Sequence, residues 1–343
     1  MKRCFFDLSF SELSELLKEY GEPDFRAKQI WQLVYKNLNL SPETFPAVPK
    51  ELRQKLKEDF EFAPISAIKK VVSQDKRTEK YLFQLADGKK IEAVLMYYRE
   101  RITICISTQV GCAMNCAFCA TGQMGFTRNL SAGEIIGQVL FFAAELKLTE
   151  KKLSNIVVMG MGEPFHNFEN VMKAIDTINH AEGFQFGERR ITVSTVGIVP
   201  MIEKFTKAKR QINLAISLHA PSNKIRDQIL PINKKYPLEK LLETCQIYVD
   251  KTHRRLTFEY ALISGLNDSV EDAMRLSKLL RGMLCHVNLI PLNETKKFER
   301  KGSTMERAND FKLILDKAGI PCSIRLKRGV DIGAGCGQLV TQT

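Results

Sequence analysis

From residue 102 onward, short apolar runs of strand length alternate with amphipathic stretches of helical period, and this alternation constrains the fold more than any other feature of the chain. Such repeats place parallel strands in one sheet with helices covering it. The candidate strands are 102–107, 156–159, 191–195, 212–218, 256–262 and 286–290. Six βα units predict an α/β fold, a full or partial barrel, in which chemistry collects at the C-terminal strand ends. The motifs described below each follow one of these runs.

Upstream the pattern differs. Residues 1–62 read as short helices: Ser9 and Glu12 form a possible capping box ahead of Leu13, Leu16, Leu17 and Tyr20, and Gly21-Glu22-Pro23 stops that helix. A second helical pattern covers 28–35 and a third 50–60. Residues 63–98 change to strand period, with 81–85 and 91–96 flanking the turn signal Asp87-Gly88. The expected organisation is a helical accessory domain over 1–62, a β-hairpin or meander extension over 63–98, and a core over 99–343.

Composition narrows the function classes. No apolar run approaches the roughly 18 residues that a spanning helix needs, and the first residues lack a signal peptide's apolar stretch, so a cytoplasmic protein without a membrane partner is expected. That compartment keeps thiols reduced, and nine cysteines, four of them between Cys105 and Cys119, then point to metal binding or catalysis rather than disulfides. Fifty-one Lys and Arg against 39 Asp and Glu give a net charge of +12, which suits a polyanion. A merely basic enzyme stays possible. The clusters Lys207-Ala208-Lys209-Arg210, Lys251-Thr252-His253-Arg254-Arg255, Lys296-Lys297-Phe298-Glu299-Arg300-Lys301 and Arg325-Leu326-Lys327-Arg328 favour nucleic acid, although any one of them alone reads as a solvated loop.

Cys112, Cys116 and Cys119 put three thiols in eight residues on the loop after the first core strand. Three thiolates fill three irons of a four-iron cluster and leave the fourth iron to a ligand that is not protein. Structural zinc would need a fourth protein ligand, which a distant Cys or His could supply. The C-x3-C-x2-C spacing, with Phe118 before the last Cys, resembles the radical S-adenosylmethionine superfamily. That resemblance implies a [4Fe–4S] cluster and S-adenosylmethionine. Met159-Gly160-Met161-Gly162-Glu163-Pro164, after the second strand, resembles the superfamily's pattern for binding the cofactor's amino group: Gly162 would allow close backbone approach and Glu163 suits an ammonium. On its own this turn reads equally well as an ordinary βα connection.

Two further cysteines sharpen the reading. Cys105 lies in the strand leading to the cluster loop, where a buried small hydrophobe is its ordinary fate. Cys336 sits in Gly335-Cys336-Gly337-Gln338-Leu339, a glycine-rich stretch that could carry a thiol into a crowded site. Together with Gln109-Val110-Gly111-Cys112, Gly125-Phe126-Thr127-Arg128-Asn129-Leu130, Ala215-Ile216-Ser217-Leu218-His219-Ala220-Pro221 and Pro231-Ile232-Asn233-Lys234-Lys235-Tyr236, these stretches resemble the RlmN/Cfr family of radical SAM RNA (adenine) methyltransferases, over nearly the whole chain from Phe25.

The resemblance implies a partial (βα)6 TIM-like barrel, and a methyl group carried on Cys336, transferred to an adenine ring carbon and released with the help of Cys105. It implies Glu92 as the base that takes the ring proton; an exposed strand Glu is the plain alternative. It places Ser194, Ser217, Leu218, His219 and Asn293 against S-adenosylmethionine. Its implied partners are 23S rRNA, tRNA and an external electron donor of flavodoxin or ferredoxin type, with the chain a monomer. The cluster flanks are more similar to the C2-methylating branch than to the C8-methylating resistance branch. Two departures stand out: Met96-Tyr97 where the family has Ile-Pro, and Glu294-Thr295-Lys296-Lys297 where it has Pro and a glycine turn.

Overall fold

The computed structural model describes residues 2–325 and 327–341. Its centre is a ten-stranded sheet: β1 (Ile65–Val72), β2 (Thr78–Leu85), β3 (Lys90–Tyr97), β4 (Ile102–Cys105), β5 (Asn155–Val158), β6 (Ile191–Thr195), β7 (Asn213–Ser217), β8 (Leu256–Leu262), β9 (Cys285–Pro291) and β10 (Cys322–Ile324). Spatial order equals chain order, so each strand lies beside the one made before it and β1 and β10 are the two edges. β1 to β4 pair antiparallel, as a meander with tight connections must. β4 to β10 pair parallel through helical crossovers. The architecture is the expected α/β partial barrel, with its parallel strand ends open toward one face.

Two features differ from the sequence expectation. A seventh parallel strand, β10, follows the six foreseen ones. It is three partly exposed residues, Cys322, Ser323 and Ile324, too short and too polar to carry a strand signal. The meander is also not a separate extension: β3 pairs with β4 from Val94↔Cys105 to Tyr97↔Ile102, so it continues the core sheet.

At the N-terminus the capping box forms as read, with Glu12 N–H donating to Ser9 Oγ and Ser9 N–H to Glu12 Oε2. The second helix runs Phe25–Trp31 and then widens into a π turn, Gln32–Lys36, where Leu33, Val34 and Tyr35 are all buried and the regular period breaks. The strands Arg3–Cys4 and Phe60–Glu61 pair and tie the ends of this region together. One apolar core, continuous from Phe5 to Leu339, joins the helical region to the barrel.

Candidate active site

The cluster loop hangs from a small hairpin, Gln109–Gly111 paired with Phe126–Asn129. Gly111 has φ 76°, and a Cβ there would lie 1.9 Å from Gly125 O, so only glycine lets Cys112 N–H donate to that carbonyl. Asn115 takes the left-handed turn between the first two cysteines at φ 50°, a conformation asparagine tolerates. Phe118, Met114, Cys116 and Cys119 then pack on Val196, Leu230, Ala261 and Leu292 at the strand ends. Burial pushes the Cys112 thiol up to about 12 and also raises that of Cys116. A cationic metal centre reverses that direction.

All three thiols line one cleft with about 1250 Å³ of atom-free space, its mouth included. Among the described residues no three His, Cys, Asp or Glu side chains meet closely enough to hold a single metal ion. Three thiols lining one cleft are the donor set that a four-iron cluster takes when its fourth iron is left without a protein ligand.

The glycine turn after β5 lies against the strand end leading to the hairpin. Thr108 and Gln109 N–H both donate to Met161 O, and Met161 N–H donates to Ser107 Oγ. The space over Gly162 is taken by Gln109, whose side chain would touch a Cβ at 2.6 Å. The close approach this glycine permits is therefore to the protein's own chain. Glu163 is buried and lines the cleft, and its oxygens accept from Phe165 N–H and Val196 N–H, each at 2.9 Å. Burial raises its pKa to about 7 against those hydrogen bonds.

Ser194, Ser217, His219 and Asn293 also line the cleft, from the C-terminal ends of three strands, β6, β7 and β9. Asn293 Nδ2 donates to Cys336 O at 3.1 Å, while its buried Oδ1 has no partner among the described residues. That orphaned acceptor is the kind of atom a polar cofactor satisfies. His219 accepts Ala261 N–H on Nδ1, which fixes the tautomer, and its ring stands edge-on to Phe118. Leu218 does not reach the cleft: its side chain is fully buried in the core, and its backbone binds Glu259 O and Arg226 Nε. Alternation along the strand turns it away from the face that Ser217 shows.

Cys105 and Cys336 line the same cleft, both as free thiols. Cys336 is exposed on its wall, held by the C-terminal segment that Ala120 N–H (to Gly337 O) and Thr121 Oγ1 (to Leu339 O) bind to the cluster loop. Burial pushes Cys105 up to about 12; Cys336 has its surface open to the cavity, but the protein surrounding the cleft still desolvates its thiol and raises its pKa, and Arg325 pulls both back. Glu92 is buried on β3 just beyond the cleft lining. Its Oε1 pairs with Lys80 Nζ at 3.0 Å and its Oε2 accepts Val340 N–H at 2.9 Å. Burial raises its pKa and Lys80 opposes the rise.

Comparison with known proteins was made against this geometry. The profile of the Radical SAM superfamily matches residues 106–277, and that of the "Ribosomal RNA large subunit methyltransferase N-terminal domain" matches residues 5–62. A "Probable dual-specificity RNA methyltransferase RlmN" of Caldanaerobacter subterraneus subsp. tengcongensis is 46% identical over 97% of this chain and 96% of its own length. One of the same name from Clostridium tetani is 47% identical over 97% and 94%. The crystal structure of a radical SAM methyltransferase from Sphaerobacter thermophilus superposes with a TM-score of 0.96 at 46% identity, covering 98% of this chain and 99% of that one. This chain belongs to the RlmN family. Radical SAM membership implies a [4Fe–4S] cluster and S-adenosylmethionine, which Cys112, Cys116, Cys119 and the adjoining cleft are suited to receive.

Two cleft residues of this RlmN-family chain escaped sequence reading. Glu259, buried on β8, accepts from Asn288 Nδ2 at 2.9 Å, and Arg325 follows β10 and lines the cleft beside Cys336. A lone carboxylate inside the apolar run 256–262 was the available signal for the first. The second was hidden among basic neighbours. The basic clusters also divide. Those at 207–210 and 251–255 precede β7 and β8 and so stand at the end opposite the cleft, with Arg210 paired to Glu188. Those at 296–301 and 325–328 follow β9 and β10, on the cleft side, although Leu326 is outside the described residues.

Proposed function

We propose that this chain is a radical SAM RNA methyltransferase that installs a methyl group on C2 of an adenosine, in 23S rRNA at the peptidyl-transferase centre and beside the anticodon of tRNA. The observation that carries the reading is the meeting of Cys336, Cys105 and the three loop thiols in one cleft, although they come from sequence positions more than 200 residues apart. Cys112, Cys116 and Cys119 would hold a [4Fe–4S] cluster, which would supply one-electron reduction of an S-adenosylmethionine bound in the cleft.

The chain's own residues do the rest. Cys336 thiolate displaces S-adenosylhomocysteine from one S-adenosylmethionine and gains the S-methyl group. Arg325 favours that thiolate against its burial. After the carrier carbon has joined the adenine ring, Glu92 accepts the ring proton, freed for this by movement of the C-terminal segment that now engages it. The odd electron left by the addition would return to the cluster; Cys105 thiolate attacks Cys336 sulfur, the carbon–sulfur bond breaks, the released carbon takes up a proton to become the methyl group, and the disulfide formed awaits an external two-electron reductant. An electron donor of flavodoxin or ferredoxin type serves the cluster.

The test is anaerobic reconstitution with iron and sulfide, incubation of rRNA fragments and tRNA with labelled S-adenosylmethionine, and nucleoside analysis. 2-Methyladenosine is expected. 8-Methyladenosine would assign the other branch, and no methylated nucleoside from cluster-loaded protein would defeat the reading. Cys336→Ala should transfer no methyl group, and Cys105→Ala should accumulate protein covalently attached to RNA, visible as a nuclease-sensitive band of higher mass.

A further inference from the structure

Behind the C-terminal segment lies a shallow depression, about 390 Å³ of atom-free space with its mouth included, that shares Met96, Arg325 and Cys336 with the main cleft and adds Tyr98, Lys327 and Arg328. Among the described residues no carboxylate lines it. On its rim the hairpin turn between β3 and β4 closes with Tyr98 N–H donating to Arg101 O. The guanidinium groups of Arg101 and Arg328 each stand 4.4 Å from the Tyr98 ring centroid, so one aromatic ring holds two cations in place. Arg328 Nη1 donates to Tyr97 O, and its buried Nε has no partner among the described residues. Arg101 and Lys327 are exposed, and among the described residues neither pairs with a carboxylate. The acids nearby are Glu100, in the same turn, and Asp75, which feels Arg328 electrostatically.

We propose that Arg101, Lys327 and Arg328, held by the Tyr98 ring, form a phosphate-binding rim that seats the RNA strand flanking the target base as that base enters toward Cys336. The inference rests on the RNA reading above and deepens it by naming the surface. Guanidinium groups fixed on a ring and lacking anionic partners are prepared for phosphate oxygens, because little side-chain freedom is lost on binding. A pocket leading to the carrier sulfur with cations and no acid on its wall repels no backbone charge. The clusters at 207–210 and 251–255 precede β7 and β8 and stand at the end of the strands opposite the cleft.

The test uses full-length, cluster-reconstituted protein and a fluorescent RNA hairpin, with binding followed by anisotropy at several salt concentrations. Arg101→Ala and Lys327→Ala, both at exposed positions, should each weaken RNA binding about fivefold at low salt and flatten the slope of log K against log salt by about 0.7. Tyr98→Ala should weaken binding and Tyr98→Phe restore it, since the ring and not the hydroxyl holds the cations. Lys207→Ala, at the far end, should bind as wild type. The effect should fall on KM for RNA and leave the affinity for S-adenosylmethionine where it was. If wild type binds the hairpin and the Arg101 and Lys327 variants bind it equally with the same salt slope, the rim is overturned while the RNA reading stands. If wild type itself binds no RNA, the RNA reading fails and takes the rim with it.

Discussion

Lys80 Nζ touches Glu92 Oε1 at 3.0 Å and Gly333 O at 3.3 Å, so one ammonium serves both the buried carboxylate and the segment that carries Cys336. Burial and Lys80 act on Glu92 in opposite senses. Lys80→Met should therefore raise the Glu92 pKa further and move the acidic limb of the single-turnover methylation profile to higher pH, with Lys80→Arg returning it. His219 offers a stability counterpart. Buried and accepting a backbone N–H, its imidazole is held neutral, with the pKa pushed down to about 3 from 6.5. The unfolded chain thus takes up a proton below about 6.5 that the folded chain refuses, and stability is lost as pH falls through that window. Urea midpoints measured from pH 7 to 5 should fall less steeply in His219→Gln than in wild type, the difference approaching about 1.4 kcal/mol per pH unit. Equal slopes would mean that the ring is protonated in the folded state.

At the scale of elements, the hairpin under the cluster loop and the buried Arg226 decide the geometry. Gly111→Ala would set a Cβ against Gly125 O, and the variant should fold with near-native far-UV circular dichroism but bind much less iron on reconstitution. Arg226, 0% exposed, donates to Val196 O, Leu218 O and Asn233 Oδ1 and so fastens the ends of β6 and β7. Arg226→Met leaves those acceptors buried and unpaired, and should cost about 3 kcal/mol in urea unfolding. The elements themselves were largely legible. Strand runs and helix caps are local patterns, and Ser9 with Glu12 forms the box that its spacing suggested. What escaped depends on partners distant in sequence. Leu218 looked like its neighbours Ser217 and His219 until strand alternation turned it inward. Arg226 and Arg325 sit beside other basic residues in sequence, and their meaning lies in groups that folding brings to them: Val196 O and Leu218 O for the first, the thiols of Cys105 and Cys336 for the second. β10 is a strand chiefly because β9 is beside it.

For the whole molecule, the continuous core makes the N-terminal helices and the barrel one body. The single tryptophan, Trp31, is wholly buried where they meet, 5.4 Å from the Phe10 ring and 5.3 Å from the His180 ring on the barrel side. Its fluorescence and far-UV circular dichroism should report one common urea midpoint; an earlier fluorescence transition would show that the helices detach first. The equality of spatial and chain order in the sheet has a further bearing, on biosynthesis. Each strand leaving the ribosome finds its neighbour already in place, so the sheet can be laid down from one edge to the other without waiting for a distant partner. The thiol at position 336 emerges after all ten strands, so a nascent or prematurely terminated polypeptide has the loop thiols, Cys105 and the strand ends of the cleft before it has the atom that would carry the methyl group.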